Sequence, residues 1–301
     1  FGKTCSSSKS FNNHLGVPIS LSNLSFHDKY GVFEVGMSRA GEIKKLSKLI
    51  APHIGVITNI GEAHIENFRN INGIAKAKSE IIESINEGGI IILNRDDKFF
   101  SYLSKKAKLH KLKIFSFGYH KKSNVRIKKI IQKGNSSKIF ININNQIIDL
   151  EIRDLNIYNV LASIAVLKAL KININKIKEK IKNYESPEGR GKKYLISRYK
   201  KKFNLIDESY NANPLSVKNA INKLSLIKKE KFKKYLILGD MLELGSKSNK
   251  YHEQLSKVIN NSDIDKVFIK GKKTIFTYKQ LNKNKRGNIL QNNEDIDISL
   301  R

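Results

Sequence analysis

Apolar and polar positions along the first two-thirds of the chain alternate between short apolar runs and stretches of helical period. Residues 30–35, Tyr-Gly-Val-Phe-Glu-Val, read as a buried strand. Residues 41–50 follow as a helix with Ile43, Leu46, Leu49 and Ile50 on one face, closed by Pro52. Residues 54–58 read as a second buried strand. Residues 71–86 read as a helix turning Ile74, Ile81, Ile82 and Ile85 inward and stopped by Gly88 and Gly89, and 89–93 as a third strand. Strands alternating with helices predict an α/β fold with a mostly parallel sheet wound by crossovers.

The pattern then changes. Residues 113–117, 125–131, 138–143 and 146–152 look like short strands with Gly and Asn turns between them, an antiparallel patch or sheet extension. Helical period returns at 157–170 and 174–183. The segment Glu185-Ser-Pro-Glu-Gly-Arg-Gly191 is the best linker in the chain. It divides residues 1–186 from a second α/β unit, 187–301, with strands at 203–206, 235–238 and 266–269 and helices at 214–226 and 250–259.

Composition narrows the class. A chain of 301 residues has room for two domains. Its 40% apolar and 28% charged residues are globular proportions. No apolar run approaches the ~20 residues of a membrane span, and no N-terminal stretch reads as a signal peptide, so a cytoplasmic protein is expected. The single cysteine, Cys5, excludes a disulfide framework. A start at Phe1 and an uncapped end at Arg301 read as a piece of something longer.

A formal net charge of +30 would ordinarily suggest a polyanionic partner. Of the 57 basic residues, however, 48 are Lys and only 9 Arg, spread over every element rather than gathered in a stripe. Lys, Asn and Ile share A/T-rich codons, so base composition accounts for the charge and no specific nucleic acid is expected. A basic nucleic-acid-binding protein remains the competing reading from another class.

In open parallel sheets, ligands collect at the carboxyl ends of strands. The expected ends carry Glu34-Val-Gly36, Thr58-Asn59 leading into Gly61-Glu-Ala-His64, Asp207-Glu208 and Gly239-Asp240. Such a set suggests a divalent cation and a nucleotide, with Glu34 and His64 reaching one ion from neighbouring strands; magnesium suits oxygen ligands. The plainer reading of His64 is a residue capping or packing near a helix start. Phe1-Gly-Lys-Thr4 looks like the end of a phosphate loop, but no strand precedes it and no helical pattern follows it, so it reads as a decoy.

Six ordered strings resemble the Mur ligases, the ATP-dependent amide-forming enzymes of peptidoglycan synthesis. They are Ser10-Phe-Asn-Asn-His-Leu-Gly-Val-Pro18, Glu34-Val-Gly36 with Gly41-Glu42, Asn59-Ile-Gly-Glu-Ala-His64, Ala75-Lys-Ala-Lys-Ser-Glu80, Asp207-Glu-Ser-Tyr-Asn-Ala-Asn-Pro214 and Gly239-Asp-Met-Leu-Glu-Leu-Gly245. The last two resemble the branch that joins D-alanyl-D-alanine to UDP-N-acetylmuramoyl-tripeptide. Another Mur-type ligase or a folylpolyglutamate synthetase is the alternative within enzymes, and Tyr210-Asn-Ala-Asn-Pro214 argues against both.

The resemblance implies a central ATPase domain, N-terminally truncated, over 1–186 and part of a Rossmann-like C-terminal domain over 187–301. It implies a monomer using ATP and magnesium through an acyl phosphate, and an isolated chain lacking activity because the phosphate loop lies elsewhere. Glu34 and His64 match metal ligands of the family. Lys78 matches a lysine that many Mur ligases carry as a carbamate; its alternative is a surface lysine. Asn156 matches an ATP contact, with Leu155 where the family has His. Arg190 matches an arginine reaching the nucleotide phosphates, its alternative a solvated linker charge. Asp207, Glu208, Asn211 and Asn213 match the nucleotide side of the second domain. Asn12 and Asn13 fall in a substrate loop, with a turn or cap as the plainer reading.

Overall fold

The computed structural model describes residues 2–133, 136–153, 156–198, 200–228, 232–292 and 295. Leu155 and the final residues, on which two of the expectations above fall, lie outside the described residues. The chain divides into two compact units: residues up to 60 with 70–185, and residues 61–69 with 186–301. The segment Gly61–Arg69, carrying His64, therefore lies with the second unit rather than inside a continuous 1–186.

The first unit opens with β1 (Thr4–Ser6), α1 (Gly16–Ser22), β2 (Tyr30–Val32), α2 (Glu42–Ile50) and β3 (Ile54–Ile57). Then come α3 (Ile71–Lys78), β4 (Ile90–Asn94), α4 (Phe100–Leu109) and β5 (Lys113–Gly118). It ends with β6 (Val125–Lys133), β7 (Ser136–Ile143), β8 (Gln146–Ile152), α5 (Ile157–Ala169) and α6 (Lys178–Lys182). The six-stranded sheet runs β3-β4-β5-β6-β7-β8. It is parallel from β3 to β6 and antiparallel from β6 to β8, so residues 113–117 belong to the parallel part. Ile92, Phe117, Ile139 and Ile141 from the sheet and Leu161 and Ile164 from α5 meet in its core.

Several expectations change. The strand expected at 30–35 stops at Val32. Among the described residues it pairs, in parallel, only with β1, and Val32 is 60% exposed, so it is not a buried strand. Because β2 and β3 lie in different sheets among the described residues, Glu34 and His64 do not follow neighbouring strands. Leu49 is 60% exposed, and its expected place in the α2 face is taken by the buried Ser47, whose hydroxyl is bonded to Ile43 O and Ser84 Oγ. The helix expected over 71–86 tightens to a 3-10 turn at Ser79–Ser84, where Ser79 Oγ bonds back to Lys76 O. The helix expected at 174–183 likewise splits into a 3-10 turn, Ile174–Ile177, and α6.

An ion cluster joins the 3-10 turn to its neighbours. The Glu83 carboxylate lies 2.8 Å from Lys106 Nζ and 2.8 Å from Lys44 Nζ. Lys106 first and Lys44 second pull its pKa from 4.5 down to about 2. A pKa below the unfolded value contributes stability that is complete above 4.5 and is lost as pH falls toward 2. The Glu83 side chain keeps 26% exposure, so water screens part of the attraction and about 1 kcal/mol remains. Glu83→Gln is expected to lose that amount at neutral pH in denaturant titrations, with the deficit shrinking below pH ~4.5. A deficit unchanged down to acid pH would mean that packing, not charge, carries the effect.

The second unit contains β9 (Lys192–Arg198), β10 (Lys201–Asp207), α7 (Pro214–Leu226), β11 (Tyr235–Gly239), α8 (Ser248–Asn260), β12 (Lys266–Lys270), α9 (Thr274–Lys279) and β13 (Arg286–Ile289). β11, β12 and β13 form a parallel sheet, whereas β10 pairs antiparallel with β9. The strand expected at 203–206 thus belongs to a hairpin and not to the parallel sheet. Among the described residues no helix is long and apolar enough to cross a membrane.

Candidate active site

In the first unit, Asn12 from the β1–α1 loop meets the residues following β2. Its amide Nδ2 donates to Glu34 Oε1 at 2.8 Å, and its carbonyl accepts from Gly36 N–H at 2.8 Å. Glu34 N–H donates to Ser7 Oγ at 3.0 Å. A Cβ at position 36 would sit 2.8 Å from Asn12 Cγ, so the glycine of Glu34-Val-Gly36 is what lets the loop approach. The carboxylate is thereby oriented at one oxygen while staying exposed to solvent. Asn13 does something else: its Oδ1 accepts from Leu15 N–H at 3.1 Å and Gly16 N–H at 2.9 Å, capping the start of α1.

Lys78 ends α3 and is half-buried, whereas Lys76 is exposed. The Lys78 amine donates to Asn59 O at 3.0 Å, and burial pushes its pKa down against the opposing pull of Asp97. Asp97 holds the same loop from the other end, accepting Ile60 N–H at 2.7 Å. Glu80 ties two of the strings together in space. Its carboxylate accepts from Gly41 N–H at 2.8 Å and Lys44 N–H at 3.1 Å, at the N-terminus of α2. Asn156 caps α5, its Oδ1 accepting from Tyr158 N–H at 2.9 Å, and the Tyr158 hydroxyl donates to Asp96 Oδ2.

Lys3 precedes β1 and pairs with Asp28 at 3.6 Å, so Gly2-Lys3-Thr4 leads into a strand and opens no helix. That is the placement expected of a decoy.

In the second unit, His64 sits in a left-handed conformation (φ 55°) at the start of a 3-10 turn, with Nδ1 against the Glu243 carboxylate. Glu243 belongs to Gly239-Asp-Met-Leu-Glu-Leu-Gly245, and that string is held locally. Asp240 Oδ1 accepts from Lys273 and Thr274 N–H, and the buried His252 accepts Met241 N–H through Nε2. A Cβ on Gly245, which itself has φ +57°, would lie 3.0 Å from Glu66 Cβ.

Arg190, Asp207 and Tyr210 form a second assembly in this unit. Asp207 accepts Gly189 N–H through Oδ2 at 3.0 Å and Gly191 N–H through its carbonyl at 2.7 Å, clasping the linker on both sides of Arg190. The Arg190 guanidinium lies 4.4 Å from the Tyr210 ring centroid. Hydrogen bonds from Ser209 and Gly189 hold the Asp207 carboxyl below its usual range. Burial pushes Glu208 up, against Lys223. Asn213 caps α7 in a reciprocal box with Ser216, and Asn211 offers its carbonyl to Ser216 Oγ.

The structure thus joins Asn12 to Glu34, Lys78 to Asn59, His64 to Glu243 and Arg190 to Tyr210. Glu34 and Lys78 fall in one unit and His64 in the other. Among the described residues no group of three or more His, Cys, Asp or Glu side chains gathers as a ready metal site. Asp96 and Asp97 were missed by sequence reasoning, although they follow β4 and the strand-end rule would have found them.

Two family descriptions match the chain: the Mur ligase middle domain over residues 1–167 and the Mur ligase, glutamate ligase domain over residues 195–294. The chain belongs to the Mur ligase family. It is 34% identical over 274 residues to the UDP-N-acetylmuramoyl-tripeptide--D-alanyl-D-alanine ligase of Buchnera aphidicola (subsp. Acyrthosiphon pisum), covering 89% of the chain and 58% of that relative. The chain therefore spans less than two thirds of the length of this curated Mur ligase. Crystal structure I of MurF from Acinetobacter baumannii superposes with a TM-score of 0.89 at 26% identity, covering 100% of the chain and 64% of the neighbour. A MurF ligase from Thermotoga maritima in complex with ADP shares the fold, with a TM-score of 0.85 at 23% identity over 99% of the chain and 67% of that neighbour.

Proposed function

We propose that the chain serves ATP-dependent amide-bond formation between D-alanyl-D-alanine and UDP-N-acetylmuramoyl-tripeptide, through an acyl phosphate, in peptidoglycan synthesis. The observation that carries this reading is the identity shared with a ligase of that name along 89% of the chain. Nucleotide and UDP-linked substrates fit a cytoplasmic enzyme, and a monomer suffices for the chemistry.

Glu34, His64 and Lys78, the last as a carbamate, would hold magnesium. A carboxylate oriented at one oxygen by Asn12 suits a hard cation, which supports the assignment. Magnesium, when bound, supplies the positive charge that lets a carboxylate approach the γ-phosphate despite their repulsion. Arg190 would bring a forked guanidinium to the nucleotide phosphates, on a linker clasped by Asp207. Asn211, Asn213 and Asn156, with Asp207 and Glu208, would contact ATP. Asn12 and Asn13 would shape the substrate loop, Asn13 through the turn that it caps.

The test uses the full-length protein with ATP and magnesium. Phosphate release is expected only when both UDP-N-acetylmuramoyl-tripeptide and D-alanyl-D-alanine are present, with a UDP-linked pentapeptide seen by mass spectrometry. Turnover with a folate and glutamate in their place would overturn this reading in favour of a folylpolyglutamate synthetase.

A further inference from the structure

The loop before β6, the start of β6 and the β7–β8 turn line a half-open cavity of about 260 Å³ that the ligase reading does not use. Lys121, Ser123, Asn124, Arg126, Lys128 and Asn142 supply its chemistry, with the turn residues Asn144 and Asn145 completing the wall; no carboxylate lines it. Val125 and Ile127 are buried in the core, so strand alternation sends Arg126 to the opposite face of the sheet, where it pairs in register with Asn142. The β6–β7 register shifts between Ile127 and Lys129, a bulge at Lys128 of the kind that re-aims a side chain.

Hydrogen bonding leaves this wall with donors. Asn142 Oδ1 accepts Asn145 N–H at 3.1 Å, so its oxygen is engaged and its NH2 group remains. Asn124 Oδ1 accepts both Ser116 N–H and Ser116 Oγ–H at 2.8 Å, with the same result. Arg126 Nε and Ser123 Oγ are buried atoms with no hydrogen-bond partner among the described residues. Buried polar atoms are ordinarily satisfied, and two orphans in one basic cavity point to a ligand rich in acceptor oxygens. The loop is also pre-formed: Asp96, outside the cavity, accepts Tyr119 N–H at 2.7 Å and His120 N–H at 2.9 Å. Little ordering would be needed on binding.

We infer that this cavity binds a phosphate-class dianion, through the guanidinium of Arg126, the amides of Asn124 and Asn142, Ser123 Oγ and the ammonium groups of Lys121 and Lys128. The site is independent of the ligase reading. The scattered surface lysines would bind any anion weakly and without saturation; two buried donors and two oriented amides would not.

The experiment titrates inorganic phosphate into the protein at 150 mM chloride, followed by calorimetry and by 31P NMR. One saturable site is expected in the wild type. Asn142→Asp keeps an acceptor for Asn145 N–H while replacing a donor by a negative charge, and is expected to weaken phosphate at least about tenfold. Arg126→Gln should do the same, while Lys250→Gln, an exposed lysine elsewhere, should leave affinity unchanged. Uridine monophosphate in a parallel titration separates the sources: a nucleotide ligand binds tighter than free phosphate and responds to the same two variants. Absence of saturable binding, or equal affinity in wild type and Asn142→Asp, would overturn the site.

Discussion

Glu34→Ala in the full-length enzyme is expected to lower D-alanyl-D-alanine-dependent phosphate release by roughly a thousandfold, the scale set by removing a preorganised electrostatic partner of the transition state. The carboxylate is exposed, oriented by Asn12 at 2.8 Å and buttressed through its backbone by Ser7, so its loss removes charge without opening a core. His64→Ala should act in the same direction. Thermal melting should be nearly unchanged in Glu34→Ala, which separates a chemical role from a structural one. Near-normal turnover of either variant at saturating magnesium would remove that residue from the reaction.

Lys78→Ala is expected to abolish activity to a similar degree, and acetate, formate or bicarbonate should restore part of it by supplying an anionic oxygen where the carbamate would stand. Lys76→Ala is the matched control: it lies on the same helix, exposed, two positions away and on a different face. A tenfold loss or less is the most it should show. Equal small effects from the two substitutions would return Lys78 to the role of a lysine that merely holds Asn59 O.

The candidate site was legible in the sequence only as a set of expectations, where chemistry and local placement coincided. Glu34, His64, Lys78 and Asp207 stand in short strings at loop or helix ends, and a strand-end rule with a family resemblance was enough to single them out. Partners were not legible. Asn12 reaches Glu34 across an intervening helix and strand, His64 meets Glu243 from a distant loop, and Glu80 closes on the backbone of Gly41. Nothing in the composition of either segment announces such a contact. Helix α4 escaped notice for a related reason: only Leu103 and Ala107 are buried on it, too few to mark a helical period.

Periodicity by itself pointed to the α/β class, a parallel run holding β3 and β4 and an antiparallel extension through β8, because burying one face of each element demands a regular spacing of apolar side chains; that β5 belongs to the parallel run came only from its pairing with β4. Tertiary structure alone decided which face was covered and which strands were neighbours. Leu49 and Val32 are as apolar as Leu46 and Ile57, yet the first pair is exposed and the second buried. Likewise β2 reads as a buried strand but pairs with β1 outside the six-stranded sheet. Hydrophobicity states that a residue favours burial; only the closed chain provides, or withholds, the surface that buries it.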